Sequence, residues 1–168
     1  EMCIRDSHMT TFLIFLHVAA AILLLGPVVV STSMFPRQAV ESRAGGEEAT
    51  GRASVLYRIT KTYGMLSLLV PLLGGAVLAF DWEAYKSNYW FHTAIVLSVI
   101  AWAILLAMVI PQQRKMMGTI GALPAADADP SDVTNNFEKS KAKATAGAGI
   151  FNLLWMLTLI LMFLPTPA

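Results

Sequence analysis

The sequence predicts an all-α integral membrane protein whose four helices form an antiparallel bundle. Of its 168 residues, 56% are hydrophobic and only 14% are charged, and four long windows contain no charged residue. A bilayer core is roughly 30 Å thick, and a helix of about 20 apolar residues crosses it. Because a backbone in lipid must satisfy its own hydrogen bonds, each window is expected to be helical.

The four helices are predicted from these windows in chain order. The windows cover residues 10–35, 62–80, 87–113 and 144–168, and the predicted helices cover residues 10–34, 58–80, 90–111 and 147–165. The second and third windows are close in the chain, so their helices are expected to be antiparallel neighbours. The segment between them contains Trp82, Tyr85, Tyr89 and Trp90, which are typical of an aromatic belt at a membrane surface.

The first window contains two prolines with different expected effects. Gly26 and Pro27 interrupt it, and a proline inside a helix lacks a backbone donor and clashes with the preceding turn, which predicts a kink. The residue before a proline disfavours the helical region of backbone space. We therefore expect the first helix to end before Pro36.

Two polar segments connect the remaining helices. Residues 53–61 are expected to continue directly into the second helix. Residues 121–132 are rich in turn-forming residues and are expected to be mobile. The segment 132–146 has helical propensity, with Ser131 or Asp132 as its N-cap, and is expected to run into the fourth helix.

The distribution of basic residues predicts the orientation of the chain. Five lie between the first and second helices and five between the third and fourth, whereas only Arg5 and Lys86 lie elsewhere. Cytoplasmic connections of membrane proteins carry an excess of lysine and arginine. The long basic loops are therefore predicted to be cytoplasmic, and both termini are predicted to lie on the outer side of the cell membrane.

The first eight residues differ in character from the rest of the chain. The segment EMCIRDSH resembles a tag-like leader or artefact, and Met9 is interpreted as the natural start. Residues 9–168 are then a single four-span domain. Cys3 is the only cysteine, so the four-span domain is expected to contain no disulfide, cysteine metal site or thiol nucleophile.

Two histidines are the candidate functional residues. No catalytic motif occurs in the sequence and no carboxylate lies within a predicted span, so no catalytic residue, metal site or soluble substrate is expected. His17 and His92 fall in the same predicted leaflet, where they could bind haem b between two helices. The alternative is that His17 is a neutral histidine bonded to a neighbouring helix, at the level of Thr158, and that His92 is an interfacial residue.

The chain resembles a family of small four-helix bacterial membrane proteins of unknown function, common in actinobacteria. The resemblance comes from TFLIFLHVAAAILLLGP, the basic segment with LYRITKTYG, a second helix with proline and glycine, and the IPQQRKM exit from the third helix. It implies the four-span fold and no established activity. The chain is also loosely similar to accessory subunits of actinobacterial respiratory supercomplexes.

Three functions follow as hypotheses. The first is a non-enzymatic accessory or structural subunit of a larger membrane complex, respiratory by analogy, with lipid and membrane-protein subunits as partners. The second is a haem-binding electron carrier or oxidoreductase that uses His17 and His92. The third is a small transporter, suggested by Pro27 and Pro71 in two helices. A net charge of +1 gives no indication of a nucleic-acid partner.

Overall fold

The computed structural model describes residues 2–165, with side chains from residue 7 onward. Its first helix, α1, consists of Met2–Ala20, a π-helical turn at Ala21–Leu25, and Gly26–Arg43. The π-helical turn lies immediately before Pro27, where the backbone must adjust to a missing N–H group. The structure thus has a π-helical turn where the sequence predicted a kink.

Pro36 does not end the first helix, so that prediction was wrong. Pro36 lies inside Gly26–Arg43, and its neighbours Phe35 and Ala39 are fully buried. Both belong to a hydrophobic cluster that also contains Tyr57 of the next helix. Tertiary packing of this face outweighs the local preference of the residue before a proline.

The second helix, α2, contains a break that the sequence did not indicate. It consists of Glu47–Leu66 and Leu69–Phe80, so residues 53–61 do continue into it. At the break, Gly64 O accepts hydrogen bonds from Ser67 Oγ at 2.6 Å and from Trp102 Nε1 at 3.1 Å. Pro71 then lies in the first turn of the second half, where its missing N–H group is tolerated.

The third helix, α3, covers Tyr89–Ile120 with a π-helical turn at Leu105–Val109. A single helical turn, Trp82–Tyr85, precedes it. The Asn88 side chain caps α3 by accepting from Phe91 N at 3.2 Å. Gly121 ends the helix with a positive φ of 78°, a conformation that glycine adopts without steric cost.

The fourth helix, α4, covers Phe137–Phe163. The segment before it contains short 3₁₀ turns, Ala125–Asp127 and Pro130–Val133. Residues 137–146 do run into the predicted helix 147–165, but this extension begins at Phe137 instead of near Asp132. Its N-cap is Asn136, which accepts from Lys139 N at 3.0 Å, so the predicted caps Ser131 and Asp132 were wrong. Asp132 instead completes a capping box around the preceding 3₁₀ turn, because its carboxylate accepts from Asp129 N.

Hydrogen bonds and contacts show the direction in which neighbouring helices pass each other. Between α1 and α2, Ser31 Oγ lies 2.8 Å from Thr60 Oγ1 and His17 Nδ1 lies 2.9 Å from Val70 O. Residue numbers rise along α2 as they fall along α1, so the two helices run in opposite directions. The same holds for α1 and α4, which are joined by Asn152–Ser33 and Arg43–Glu138 contacts.

All four helices are long and apolar enough to cross a membrane. The candidate spans are Ser7–Arg43, Glu47–Phe80, Tyr89–Ile120 and Phe137–Phe163, of 37, 34, 32 and 27 residues. Large apolar side chains such as Phe15 and Ile22 are about two-thirds exposed, at 65% and 67%. Surfaces of this kind are suited to lipid, and they indicate a membrane protein.

Candidate functional site

A cavity of about 310 Å³ lies between α1, α2 and α4 in the apolar part of the chain. Most of its lining is aliphatic, and its polar members come from α1 and α4. The lining residues are His17, Ala21, Leu25, Val29, Val70, Asn152, Trp155, Met156, Thr158, Leu159 and Met162. A mainly apolar cavity with a few polar groups is the usual form of a small-molecule site.

The hydrogen bond of His17 determines which of its ring nitrogens is available. Nδ1 lies 2.9 Å from Val70 O, and a carbonyl oxygen can only accept. Nδ1 therefore carries the proton and donates to Val70 O, and in the neutral imidazole Nε2 keeps its lone pair. The available nitrogen can accept a hydrogen bond or bind a metal or haem iron.

Gly74 makes room for the imidazole of His17. A Cβ atom at position 74 would lie 3.2 Å from Cε1 and 3.5 Å from Nδ1 of the ring. The 3.2 Å distance to Cε1 is tighter than ordinary van der Waals contact. Glycine at this position therefore lets α2 approach His17 closely enough for the Val70 hydrogen bond.

Asn152 lines the cavity and carries a buried acceptor without a partner among the described residues. Its Nδ2 donates to Ser33 Oγ at 3.1 Å, and Ser33 Oγ in turn donates to Val29 O at 2.7 Å. Because the Ser33 proton is used on a carbonyl, its oxygen accepts from Asn152, which fixes the orientation of the amide. Oδ1 of Asn152 is buried and has no partner among the described residues.

Trp155, which lines the same cavity, carries a buried hydrogen-bond donor. Its indole Nε1 is buried and has no partner among the residues that the structure describes. Its ring packs edge-on against Phe151, with centroids 6.3 Å apart. Buried tryptophan N–H groups usually find an acceptor, so Trp155 and Asn152 together leave one donor and one acceptor for a ligand.

Thr158 lines the cavity at the depth predicted for it, but it does not bond to His17. Its hydroxyl donates to Leu154 O of its own helix at 2.8 Å. The partner of His17 is the backbone of α2, at Val70. Sequence reasoning missed this partner because a backbone carbonyl leaves no mark in the residue pattern.

His92 lies apart from this cavity. Its Nδ1 is 2.9 Å from Asn88 O, and its ring packs edge-on against Trp82 at 6.1 Å between centroids. Within residues 7–165, no described contact joins His92 to His17, and no group of three or more histidine, cysteine or acidic side chains is placed to hold a metal ion. The bis-histidine haem site stays a prediction.

Asn152 and Trp155 are the residues whose role in the cavity was not predicted from the sequence. Asn152 forms a hydrogen bond between helices, to Ser33 of α1, which is a common role for a polar side chain in an apolar span. Trp155 carried the clearer signal, since an indole within an apolar span needs an acceptor for its N–H group. Which helix its indole would face could not be predicted from the sequence.

Comparison of the chain with protein-family models, with curated proteins and with solved structures found no match. Function is therefore inferred from the cavity and its polar groups.

Proposed function

We propose that the chain is a four-span membrane protein that holds a small lipid-soluble molecule in the cavity between α1, α2 and α4. The observation that carries this proposal is a pair of buried polar atoms, Asn152 Oδ1 and Trp155 Nε1, that have no partner among the described residues, on side chains that line the same cavity as His17. An unsatisfied buried polar group costs about 1–3 kcal/mol. A ligand with complementary groups would remove this cost.

The three polar groups specify the chemistry of the ligand. Trp155 Nε1 donates and suits a carbonyl oxygen, while His17 Nε2 and Asn152 Oδ1 accept and suit hydroxyl groups. A quinone and its quinol carry these groups on an apolar ring, and the aliphatic lining favours such a ring. The proposal assigns binding to these residues and no catalytic step, in keeping with a non-enzymatic accessory subunit.

The test is binding of decylubiquinone and its quinol to the purified full chain in detergent, measured by calorimetry. Trp155→Phe removes the cavity N–H group and is expected to weaken quinone binding about tenfold. Trp102→Phe is the matched control, because it removes an N–H group bonded to Gly64 O outside the cavity. Absence of saturable binding, or equal losses in both variants, would contradict the proposal.

Haem binding is the second candidate, and the His17–Val70 hydrogen bond favours it. Histidines that ligate metals commonly donate their second ring N–H to a carbonyl or carboxylate, which fixes the tautomer. His17 has this arrangement, with Nδ1 engaged and Nε2 available. His17 would then hold haem b through Nε2, and haem b would supply electron-transfer chemistry when bound.

An optical spectrum separates the two candidates. Protein purified gently from its native membrane is recorded oxidised and then reduced with dithionite. Bound haem gives a Soret band and a sharp α-band in the reduced spectrum. His17→Ala should abolish both bands. His92→Ala should abolish them only if both histidines are haem ligands. A featureless spectrum of the wild-type protein would exclude the haem candidate under these conditions and leave quinone binding as the proposal.

An accessory role requires a partner. The loose similarity to accessory subunits of respiratory supercomplexes suggests that this partner is a membrane complex. Purification in a mild detergent followed by native electrophoresis would test it. Migration with a larger assembly is the expected result. A stable monomer with no co-purifying protein would count against an accessory role without affecting the ligand proposal.

A further inference from the structure

A second pocket, of about 220 Å³, is lined by polar and basic side chains, in contrast to the mainly apolar cavity described above. It is bordered by Lys115 of α3 and by Lys139 and Lys143 of α4, and no carboxylate lines it. Gln112, Asn136 and Ser140 add amide and hydroxyl groups to its wall. Three cations and several neutral polar groups therefore surround one small space.

Ion pairing divides the lysines of the described residues into two groups. Lys61, Lys86 and Lys141 each form an ion pair with a carboxylate. Within residues 7–165, Lys115, Lys139 and Lys143 form none. The acidic residues nearest to this segment in the chain, Asp132 and Glu138, pair with Arg114 and with Arg43 and Lys141. Neither of them lines the pocket.

The start of α4 adds oriented donors. Asn136 Oδ1 accepts from Lys139 N at 3.0 Å, which leaves the Asn136 amide N–H groups as donors. The first turn of a 27-residue helix carries partial positive charge. Lysine charge, amide donors and the helix terminus thus all favour an anion in the same pocket.

The pocket also lies at the ends of two of the uncharged windows of the sequence. Lys115 follows the apolar window 87–113 by two residues, and Lys143 directly precedes the window that begins at Ala144. Basic pockets between membrane helices at this level are suited to anionic lipid head groups. We propose that this lysine pocket binds a phosphate group, supplied either by an anionic phospholipid or by a free phosphate compound.

The test compares two triple variants of the full chain in detergent. Lys115→Gln, Lys139→Gln and Lys143→Gln together remove the pocket charges, and the matched control replaces Lys61, Lys86 and Lys141 by glutamine. Both variants lose three positive charges. Native mass spectrometry measures binding of dioleoylphosphatidylglycerol against dioleoylphosphatidylcholine, and calorimetry measures binding of inorganic pyrophosphate without lipid.

The expected result is a tenfold or larger loss of phosphatidylglycerol affinity in the pocket variant and less than a twofold loss in the control. Pyrophosphate binding that depends on the same lysines would identify a free phosphate compound as the source, and lipid binding alone would identify the head group. Equal binding of the two lipids with no pyrophosphate binding, or equal losses in the two variants, would overturn the proposal.

Folding of the variants is checked by circular dichroism and thermal unfolding. If the triple pocket variant does not fold, the single variants Lys139→Gln and Lys143→Gln replace exposed side chains. Each is then expected to weaken binding two- to fivefold, with the effect diminished at high salt. Unchanged binding in both single variants would also overturn the proposal.

Discussion

At the residue scale, the adjacent glycines Gly74 and Gly75 have different surroundings. A Cβ atom at Gly74 would press on the His17 ring at 3.2 Å, whereas a Cβ atom at Gly75 would meet nothing within 4 Å. Alanine is intrinsically better than glycine in a helix by about 0.5–1 kcal/mol. The same substitution should therefore have opposite effects at neighbouring positions.

We predict that Gly75→Ala stabilises the protein by about 0.5–1 kcal/mol and that Gly74→Ala destabilises it by about 1 kcal/mol because the His17 ring must move. Denaturant unfolding in detergent measures both values. Gly74→Ala should also weaken binding of any ligand held by His17. Equal stabilisation by both substitutions would show that the imidazole is not held against α2.

Asp129 provides a pH-dependent test in the segment between α3 and α4. The Ser131 hydroxyl, at 2.7 Å, and then the Ser131 backbone N–H hold the pKa of the Asp129 carboxyl below its ordinary value. A lowered pKa means that the stabilisation by ionised Asp129 is fully present above the ordinary carboxyl pKa. It is lost as pH falls through the lowered value of the folded protein.

We predict that Ser131→Ala raises the pKa of Asp129 toward its ordinary value, because the largest of the stabilising hydrogen bonds is lost. A carbon-13 carboxyl titration of the full chain in detergent measures the change. Ser87→Ala, an exposed serine in the connection between α2 and α3, is the control. An unchanged Asp129 titration in Ser131→Ala would contradict the assigned cause.

At the element scale, uncharged windows predicted that four helices exist but not where they end. Helix α1 continues to Arg43, beyond the window that closes at Phe35. In this extension the charged side chains of Arg37 and Glu41 pair with each other on the exposed face, while Ala39 is buried. A rule based on absence of charge cannot detect a helix that carries charge on one face and packs with the other.

The break in α2 could not be predicted from the sequence of α2 alone, because one of the two side-chain donors that stabilise it, Trp102, belongs to α3. Ser67 Oγ and Trp102 Nε1 both donate to Gly64 O. Each single variant, Ser67→Ala or Trp102→Phe, is expected to cost about 1 kcal/mol. The double variant should cost about 1 kcal/mol more than the sum of the single values, because the carbonyl then loses both side-chain donors. Unfolding measurements of the four proteins give this coupling, and additive costs would argue against a shared acceptor.

The segment between α3 and α4 is held to α3 by Asp132, whereas the sequence suggested a mobile connection. Asp132 is 8% exposed and pairs with Arg114 at 3.3 Å. A Cβ atom at Gly118 would lie 2.5 Å from the Asp132 carboxylate. Gly118→Ala should therefore destabilise the protein by about 1–3 kcal/mol and speed proteolysis of this segment. Gly51→Ala is the control, since its Cβ atom would meet nothing within 4 Å.

At the scale of the whole molecule, the helices form two buried clusters at different levels. One contains Val28, Leu105 and Phe151 in apolar sequence. The other contains Phe35, Met116 and Phe137, beside the charged ends of the helices. A 37-residue helix is about 55 Å long, whereas a bilayer core is roughly 30 Å thick. The second cluster therefore extends the packed helices beyond the length that a membrane requires.

The candidate site could be predicted only in part, because it depends on contacts between helices. His17 was identifiable as an ionisable residue in an apolar span, but its partner is the backbone at Val70 and its neighbour is Gly74. The cavity arises from how three helices pack. Packing distances between helices are not encoded in the periodicity of any single segment.

The positions of the basic residues predict how the whole molecule is oriented in the membrane. The two basic connections lie together, because Arg43 pairs with Glu138 and Lys61 with Asp127. Lys86 belongs to the connection between α2 and α3 and pairs with Glu83. Since lysine and arginine are retained on the cytoplasmic side, we expect the basic end to face inward and the aromatic connection to face outward.

Single cysteines in a Cys3→Ser background test this orientation with a membrane-impermeant maleimide. Ser87→Cys should react in intact cells, whereas Ala44→Cys and Ala126→Cys should react only after permeabilisation; all three positions are exposed. The reverse pattern would invert the orientation while preserving four spans. Labelling of Ser87→Cys and Ala126→Cys from the same side would exclude α3 as a spanning helix, because residues 87 and 126 flank it.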